Sequence, residues 1–159
     1  MNSGSKIVQL ISAVLLVLSL VGSAAIAAEE AQTKVLGNWL TAPKDGIIQI
    51  SHAADGSLQG RIVGGNQPGK LDAKNPDPDK RNQVLRGQVN MAGLKYDGDS
   101  KWSGGTIYDP NSGSTYKCKL DLLADGTLKV RGYIGFALLG KTQLWTRYTG
   151  TSMDLPKTP

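Results

Sequence analysis

The chain has 159 residues, 40% apolar and 19% charged, with a formal net charge of +5, one Cys and one His. That length suits a single domain with a core large enough to fold without covalent staples, and the composition excludes a disordered chain. A lone Cys excludes an internal disulfide and a Cys-rich zinc module, and a lone His excludes a multi-His metal site. Basic residues scattered among acids exclude a nucleic-acid footprint.

Lys6 is the only charge ahead of an apolar run from Ile7 to Val21, which gives way to Gly22-Ser23-Ala24-Ala25-Ile26-Ala27. A charged start, an apolar stretch and a small-x-small site describe a secretory signal peptide over residues 1–27, cleaved after Ala27. The competing reading is an uncleaved anchor, because the run approaches the length of a membrane span. The small-residue site favours cleavage, leaving no membrane span afterwards. No Cys follows the apolar stretch, which excludes a lipoprotein, and the expected location is the periplasm.

Beyond residue 27 no segment sustains a 3.6-residue period. A short N-terminal segment, 28–34, precedes a domain expected over 35–150, and 151–159 reads as a flexible tail. Within the domain, short alternating runs bounded by Gly, Asp, Asn and Pro predict strands. They fall at Leu36–Thr41, Gly46–His52, Leu58–Val63, Val84–Asn90, Leu94–Tyr96, Lys101–Tyr108, Thr115–Leu123, Thr127–Phe136 and Gln143–Tyr148. Eight or nine strands at this spacing predict an all-β fold, an antiparallel up-and-down meander closed as a barrel or layered as a sandwich. Closure would remove the exposed edges that make a sheet aggregate. Glycines inside the strands fit bends and bulges, in an open barrel or a filled one.

One hairpin can be set in register. Tyr116, Cys118, Leu120 and Leu122 alternate with Lys117, Lys119 and Asp121, and Leu128 and Val130 alternate with Lys129 and Arg131. A three-residue loop, Ala124-Asp125-Gly126, with Gly126 left-handed, pairs Leu122 with Leu128, Leu120 with Val130, Cys118 with Gly132 and Tyr116 with Ile134. Asp121 then opposes Lys129 on the outer face. Cys118 points inward as a small apolar core residue.

Gly37-Asn38-Trp39 near the start and Trp145-Thr146-Arg147 at the end resemble the calycin, or lipocalin-like, arrangement. There the Arg packs over the Trp ring and closes one end of the barrel, so the pair expected here is Trp39 and Arg147. Gly60-Arg61-Ile62-Val63, Asp72, Asn75-Pro76-Asp77, Gly104-Gly105-Thr106-Ile107-Tyr108-Asp109-Pro110 and Thr115-Tyr116 occur in order between them. Together these motifs resemble the bacterial domain-of-unknown-function family numbered 2147. The resemblance implies an exported protein with a lipocalin-like barrel and implies no activity.

Candidate ligand-binding residues are Asn75, Arg81, Arg86, Trp102, Tyr108, Tyr116 and Phe136. Asn75 and Arg81 belong to the Lys70–Arg81 loop, which has three readings: a Pro-stiffened turn, a lid over one barrel mouth, or an oxygen-ligand metal site. The metal reading lacks an EF-hand order of acids and carries neutralising Lys74, Lys80 and Arg81, so no metal and no cofactor is expected. Trp102, Tyr108 and Tyr116 are inner-face aromatics, either pocket lining or plain core. Phe136 lies in an uncharged Gly135–Gly140 stretch that is a plug, a portal or an interaction tip. No hydrolase elbow, zinc-protease helix or phosphate loop is present, so a binding role is expected rather than an enzyme.

The leading expectation is a periplasmic barrel, monomeric or weakly dimeric, that holds a small apolar molecule of the lipid or fatty-acid class. The alternative is a filled barrel that binds an envelope protein or polymer through its loops.

Overall fold

The computed structural model describes residues 25–26, 28–135 and 139–157. The expected leader, residues 1–27, lies outside them except for Ala25 and Ile26. Among the described residues no helix is long and apolar enough to cross a membrane.

Eight antiparallel strands follow one another around a closed barrel: β1 Gly37–Leu40, β2 Gly46–His52, β3 Leu58–Gly65, β4 Val89–Gly98, β5 Lys101–Asp109, β6 Ser114–Leu122, β7 Leu128–Tyr133 and β8 Gly140–Arg147. Closure comes from β1 pairing with β8, Trp39 opposite Arg147 and Leu40 opposite Thr146. The β6–β7 hairpin has the expected register, with Leu122 opposite Leu128, Leu120 opposite Val130, Cys118 opposite Gly132 and Asp121 opposite Lys129. Gly126 sits at φ 82 to close its loop. The expected pairing of Tyr116 with Ile134 is not formed, because β7 ends at Tyr133 and Ile134 is exposed.

Two further expectations are corrected. Val84–Asn90 and Leu94–Tyr96 are not two strands. The single strand β4 begins at Val89, and residues 84–88 turn ahead of it, with Gly87 at φ 95 and the Gln88 N–H donating to the Leu85 carbonyl at 3.0 Å. The apolar Val84–Leu85 pair comes from an isolated bridge, Leu71 to Val84, which tucks Leu85 inward. Residues 28–34 are helical, two turns too short to establish a period in sequence, with a Lys34–Glu30 ion pair at 2.7 Å.

The tail is not free over its described length. Residues 152–155 return to the end of β3, where the Gly65 N–H donates to the Met153 carbonyl (2.9 Å) and the Leu155 N–H to the Gly65 carbonyl (3.0 Å). A side chain at Gly64 would collide with the Met153 carbonyl and with Ile47, which is fully buried although it stands outside the interior cluster. The strap therefore packs closely against the barrel wall.

Strand direction sorts the loops between two ends. The helix, the 53–57 and 123–127 loops and the tight Asp99–Ser100 turn share one end. Loops 41–45, 66–88 and 110–113, with Ile134, Gly135 and Leu139, share the other. Toward the first end the interior is packed by Ile50, Leu58, Leu94, Trp102, Cys118, Leu120 and Leu128, all buried. Gly104, at φ 78, carries a bulge that lets β5 bend, and Gly105 lies where any Cβ would strike Ala92 and Leu94. Close approach of β4 and β5 is what keeps this half filled.

Candidate functional site

The packed end is sealed by Trp39 and Arg147. Trp39 is fully buried and donates from its indole Nε1 to the Val35 carbonyl at 2.8 Å, tying the ring to the end of the helix. The Arg147 guanidinium lies 3.9 Å from the indole centroid, and its N–H groups donate to the Leu36 carbonyl (2.6 Å) and the Lys34 carbonyl. The start of the first strand and the end of the last thus meet on one ring.

The other half of the barrel is open. A cavity of about 490 Å³ runs from the middle of the interior to the mouth. That volume lies in the range of small-molecule sites. Ile48, Ile62, Leu85, Ile107, Val130 and Trp145 give it an apolar floor and walls, and Tyr108, Tyr116 and Tyr133 add aromatic edges. Toward the mouth stand Asp45, Lys70, Arg86, Asn90, Asp109 and Lys141. Space is left partly by Gly132, an inward position whose Cβ would stand an ordinary 3.5 Å from Ile107 and Tyr116.

The expected ligand-binding residues separate into three groups. Arg86, Tyr108 and Tyr116 line the cavity. Trp102 does not: it belongs to the packed half, with its ring 5.3 Å from that of Tyr96. Asn75 and Arg81 do not line it either; both are engaged within the loop. Asn75 Nδ2 donates to Asp72 Oδ2 (2.6 Å), its Oδ1 accepts from the Asp77 N–H (2.9 Å), and Arg81 Nε donates to the Asn75 carbonyl (2.8 Å). Phe136 lies outside the described residues.

The Lys70–Arg81 loop has the geometry of the stiffened turn. Asp72 is fully buried and receives hydrogen bonds from Asn75 and from the Tyr108 hydroxyl (2.6 Å). Burial, then the Asp72 hydrogen bond, push the Tyr108 phenol up to about 12. Asp77 accepts from the Asp79 N–H and pairs with Lys80. Lys70 and Lys74 reach the facing turn, donating to the Asn111 side chain and carbonyl, each at 2.7 Å. The loop is fastened to β5 and to the β5–β6 turn, beside the mouth. Among the described residues no cluster of three metal-ligating side chains occurs.

Gln143, Trp145 and Asn90 are among the cavity residues that were not expected from the sequence. Gln143 and Trp145 follow from alternation along β8, since Leu144 between them is exposed, and the Trp145 indole donates to Gln143 Oε1 at 2.8 Å. Asn90 could not be found by alternation. Gly60 pairs with Met91 but Arg61 pairs with Val89, so Asn90 is the extra residue of a bulge.

The family model described as "Uncharacterized protein conserved in bacteria (DUF2147)" matches residues 37–147, the whole barrel from β1 to β8. The chain belongs to this family. No curated protein matches it. Among solved structures it is similar to protein HP1028 of the human pathogen Helicobacter pylori, described as belonging to the lipocalin family. The two share 22% identity and a TM-score of 0.65 over 72% of this chain and 82% of that one. This DUF2147 chain accordingly has a lipocalin-like barrel.

Proposed function

We propose that the protein binds a small, largely apolar molecule of the lipid class in the open half of its barrel, and carries or sequesters it outside the cytoplasm. The observation that carries this reading is the half-filled interior: an apolar cavity of about 490 Å³ above a tightly packed floor. Apolar burial supplies about 25 cal/mol per Å², so one alkyl chain enclosed in a preformed cavity suffices for micromolar binding. The lipocalin-like fold is consistent with such a role. The loop-binding alternative assumed a filled barrel, and the cavity weighs against that premise.

Export is supported by the leader-like residues 1–27. A binding role rather than catalysis is supported by where the reactive groups lie. Cys118 is buried in the packed half, its thiol pushed up to about 12 by burial, and His52 ends β2 at the sealed end beside Gly56. Neither lines the cavity.

The test is uptake of a neutral fluorescent probe, N-phenyl-1-naphthylamine, by the delipidated protein, followed by displacement with twelve-carbon amphiphiles. Saturable uptake with a blue shift is expected. Absence of uptake would overturn the proposal. Native mass spectrometry of protein purified from its own cell envelope would identify a co-purifying ligand.

A further inference from the structure

Large apolar side chains left in water carry information when they gather rather than scatter. Ile26 of the expected leader aside, six stand exposed among the described residues: Leu71, Val84, Val89, Ile134, Leu139 and Leu144. All but Leu144 lie at the open end of the barrel. Ile134 and Leu139 are the barest of the six, 64% and 70% exposed, and the Ile134 N–H donates to the Leu139 carbonyl at 3.2 Å. Leu71 and Val84 are bridge partners. The first pair sits between β7 and β8 and the second between β3 and β4, half-way round the ring of strands. The two pairs therefore flank the mouth from opposite sides, and Ile134 and Leu139 line the cavity where it opens.

Charge divides along the same axis. The open-end loops carry Lys44, Lys70, Lys74, Lys80, Arg81 and Arg86 against Asp45, Asp72, Asp77 and Asp79, and Asp72 is buried. Adjoining Asp109 and Asp154 are offset by Lys141 and Lys157. At the sealed end the helix and loops carry Glu29, Glu30, Asp55, Asp99 and Asp125 against Lys34. The neighbouring strand ends add Asp97 against Lys101 and Arg147. The molecule is thus basic and apolar around its mouth and acidic at the opposite end.

We infer that the open end docks on an anionic phospholipid surface, with Leu71, Val84, Ile134 and Leu139 entering the interface and the surrounding bases meeting lipid phosphates. The inference rests on the proposed cavity for its purpose: a lipid-class ligand then passes between bilayer and barrel without crossing water. Interfacial binding needs apolar side chains to insert and bases to meet head groups, and it strengthens with both. A protein partner fits less well, because the apolar residues form separated pairs around an opening rather than a continuous patch with a polar rim. Repulsion of the acidic end turns the molecule mouth-first toward a negative surface.

The test is co-sedimentation of the mature chain, residues 28–159, with vesicles of phosphatidylglycerol and phosphatidylcholine in equal parts, beside vesicles of phosphatidylcholine alone. Binding to the anionic vesicles is expected, and binding at least about tenfold weaker to the neutral ones. Salt at about 1 M, where screening shortens to about 3 Å, should weaken it similarly. Ile134→Ser with Leu139→Ser, and separately Lys44→Glu with Lys80→Glu, should each cost at least about tenfold. Lys34→Glu with Lys101→Glu makes the same change in net charge at the sealed end and should cost far less. Equal binding to neutral vesicles, no binding, or equal losses from the two charge-reversed proteins overturns the docking surface. So does a dimer in solution that Ile134→Ser with Leu139→Ser dissociates, which gives the face to a second copy. Probe uptake without vesicles reads the cavity separately. Uptake with failed docking leaves the proposed function standing, and docking without uptake overturns that function and leaves the surface.

Discussion

The Arg147 guanidinium lies over the Trp39 indole, 3.9 Å from its centroid, and its N–H groups reach back to carbonyls at the end of the helix. A residue at the end of the last strand thereby fixes the ring of the first strand and the segment before it. The contact combines a cation–π interaction, worth about 0.5–2 kcal/mol, with hydrogen bonds from a charged group, ordinarily worth about 1.5–3 kcal/mol each. Arg147 is partly exposed, so screening trims these values. Arg147→Ala is expected to cost about 2 kcal/mol, with the thermal midpoint falling by several degrees. Arg147→Lys should recover only part, because an ammonium cannot both stack and fork. Thermal melts of the three proteins decide this.

Gly132 offers a test of the cavity that leaves the fold alone. Its φ is ordinary and a Cβ there meets nothing closer than 3.5 Å. Gly132→Leu should project into the open half, reduce probe uptake at least about tenfold and leave the thermal midpoint within a few degrees. A variant that melts normally and still takes up the probe would place the ligand elsewhere.

Burial raises two acids, Cys118 and Tyr108, to about 12 from ordinary values of 9.0 and 10.0. Their protonated forms are favoured in the native state, so the stability they contribute is complete below pH 9. It is lost as pH rises, between 9 and 12 for the thiol and between 10 and 12 for the phenol. Denaturant melts should therefore show stability declining above pH 9. Tyr108→Phe should flatten the upper part of that decline.

The same burial makes Cys118 inert. Iodoacetamide at pH 8 should leave the folded protein unmodified and alkylate one site per chain in denaturant. Rapid alkylation of the native protein would contradict the packing of the closed half.

The strap at 152–155 should stabilise rather than decorate the barrel. Truncation after Thr151 removes two backbone hydrogen bonds to Gly65 and the Asp154 partner of Arg86. The expected cost is about 1–3 kcal/mol, with far-UV circular dichroism unchanged. A side chain at Gly64 should act in the same direction, because it collides with the Met153 carbonyl.

The strands whose two faces differ in polarity were readable along the chain. Alternation over Tyr116–Leu122 and Leu128–Arg131, with Gly126 in its left-handed position, determined a hairpin to the residue and the inward place of Cys118. The Gly37-Asn38-Trp39 and Trp145-Thr146-Arg147 motifs pointed to closure of the barrel at one end through their resemblance to the calycin arrangement, and Arg147 does lie over Trp39. Only the tertiary structure decided which inner positions pack and which stay open. Trp102 and Tyr108 share the same strand and residue class, yet one is core beside Tyr96 and the other is cavity wall bonded to Asp72, 36 positions away. Asn90 faces the cavity through a one-residue slip between β3 and β4, and the tail is held by the backbone N–H and carbonyl of Gly65 at the end of β3. Local periodicity encodes the face a side chain takes. The filling of the space beyond that face depends on how closely distant strands approach, a sum over the whole barrel that no single segment carries.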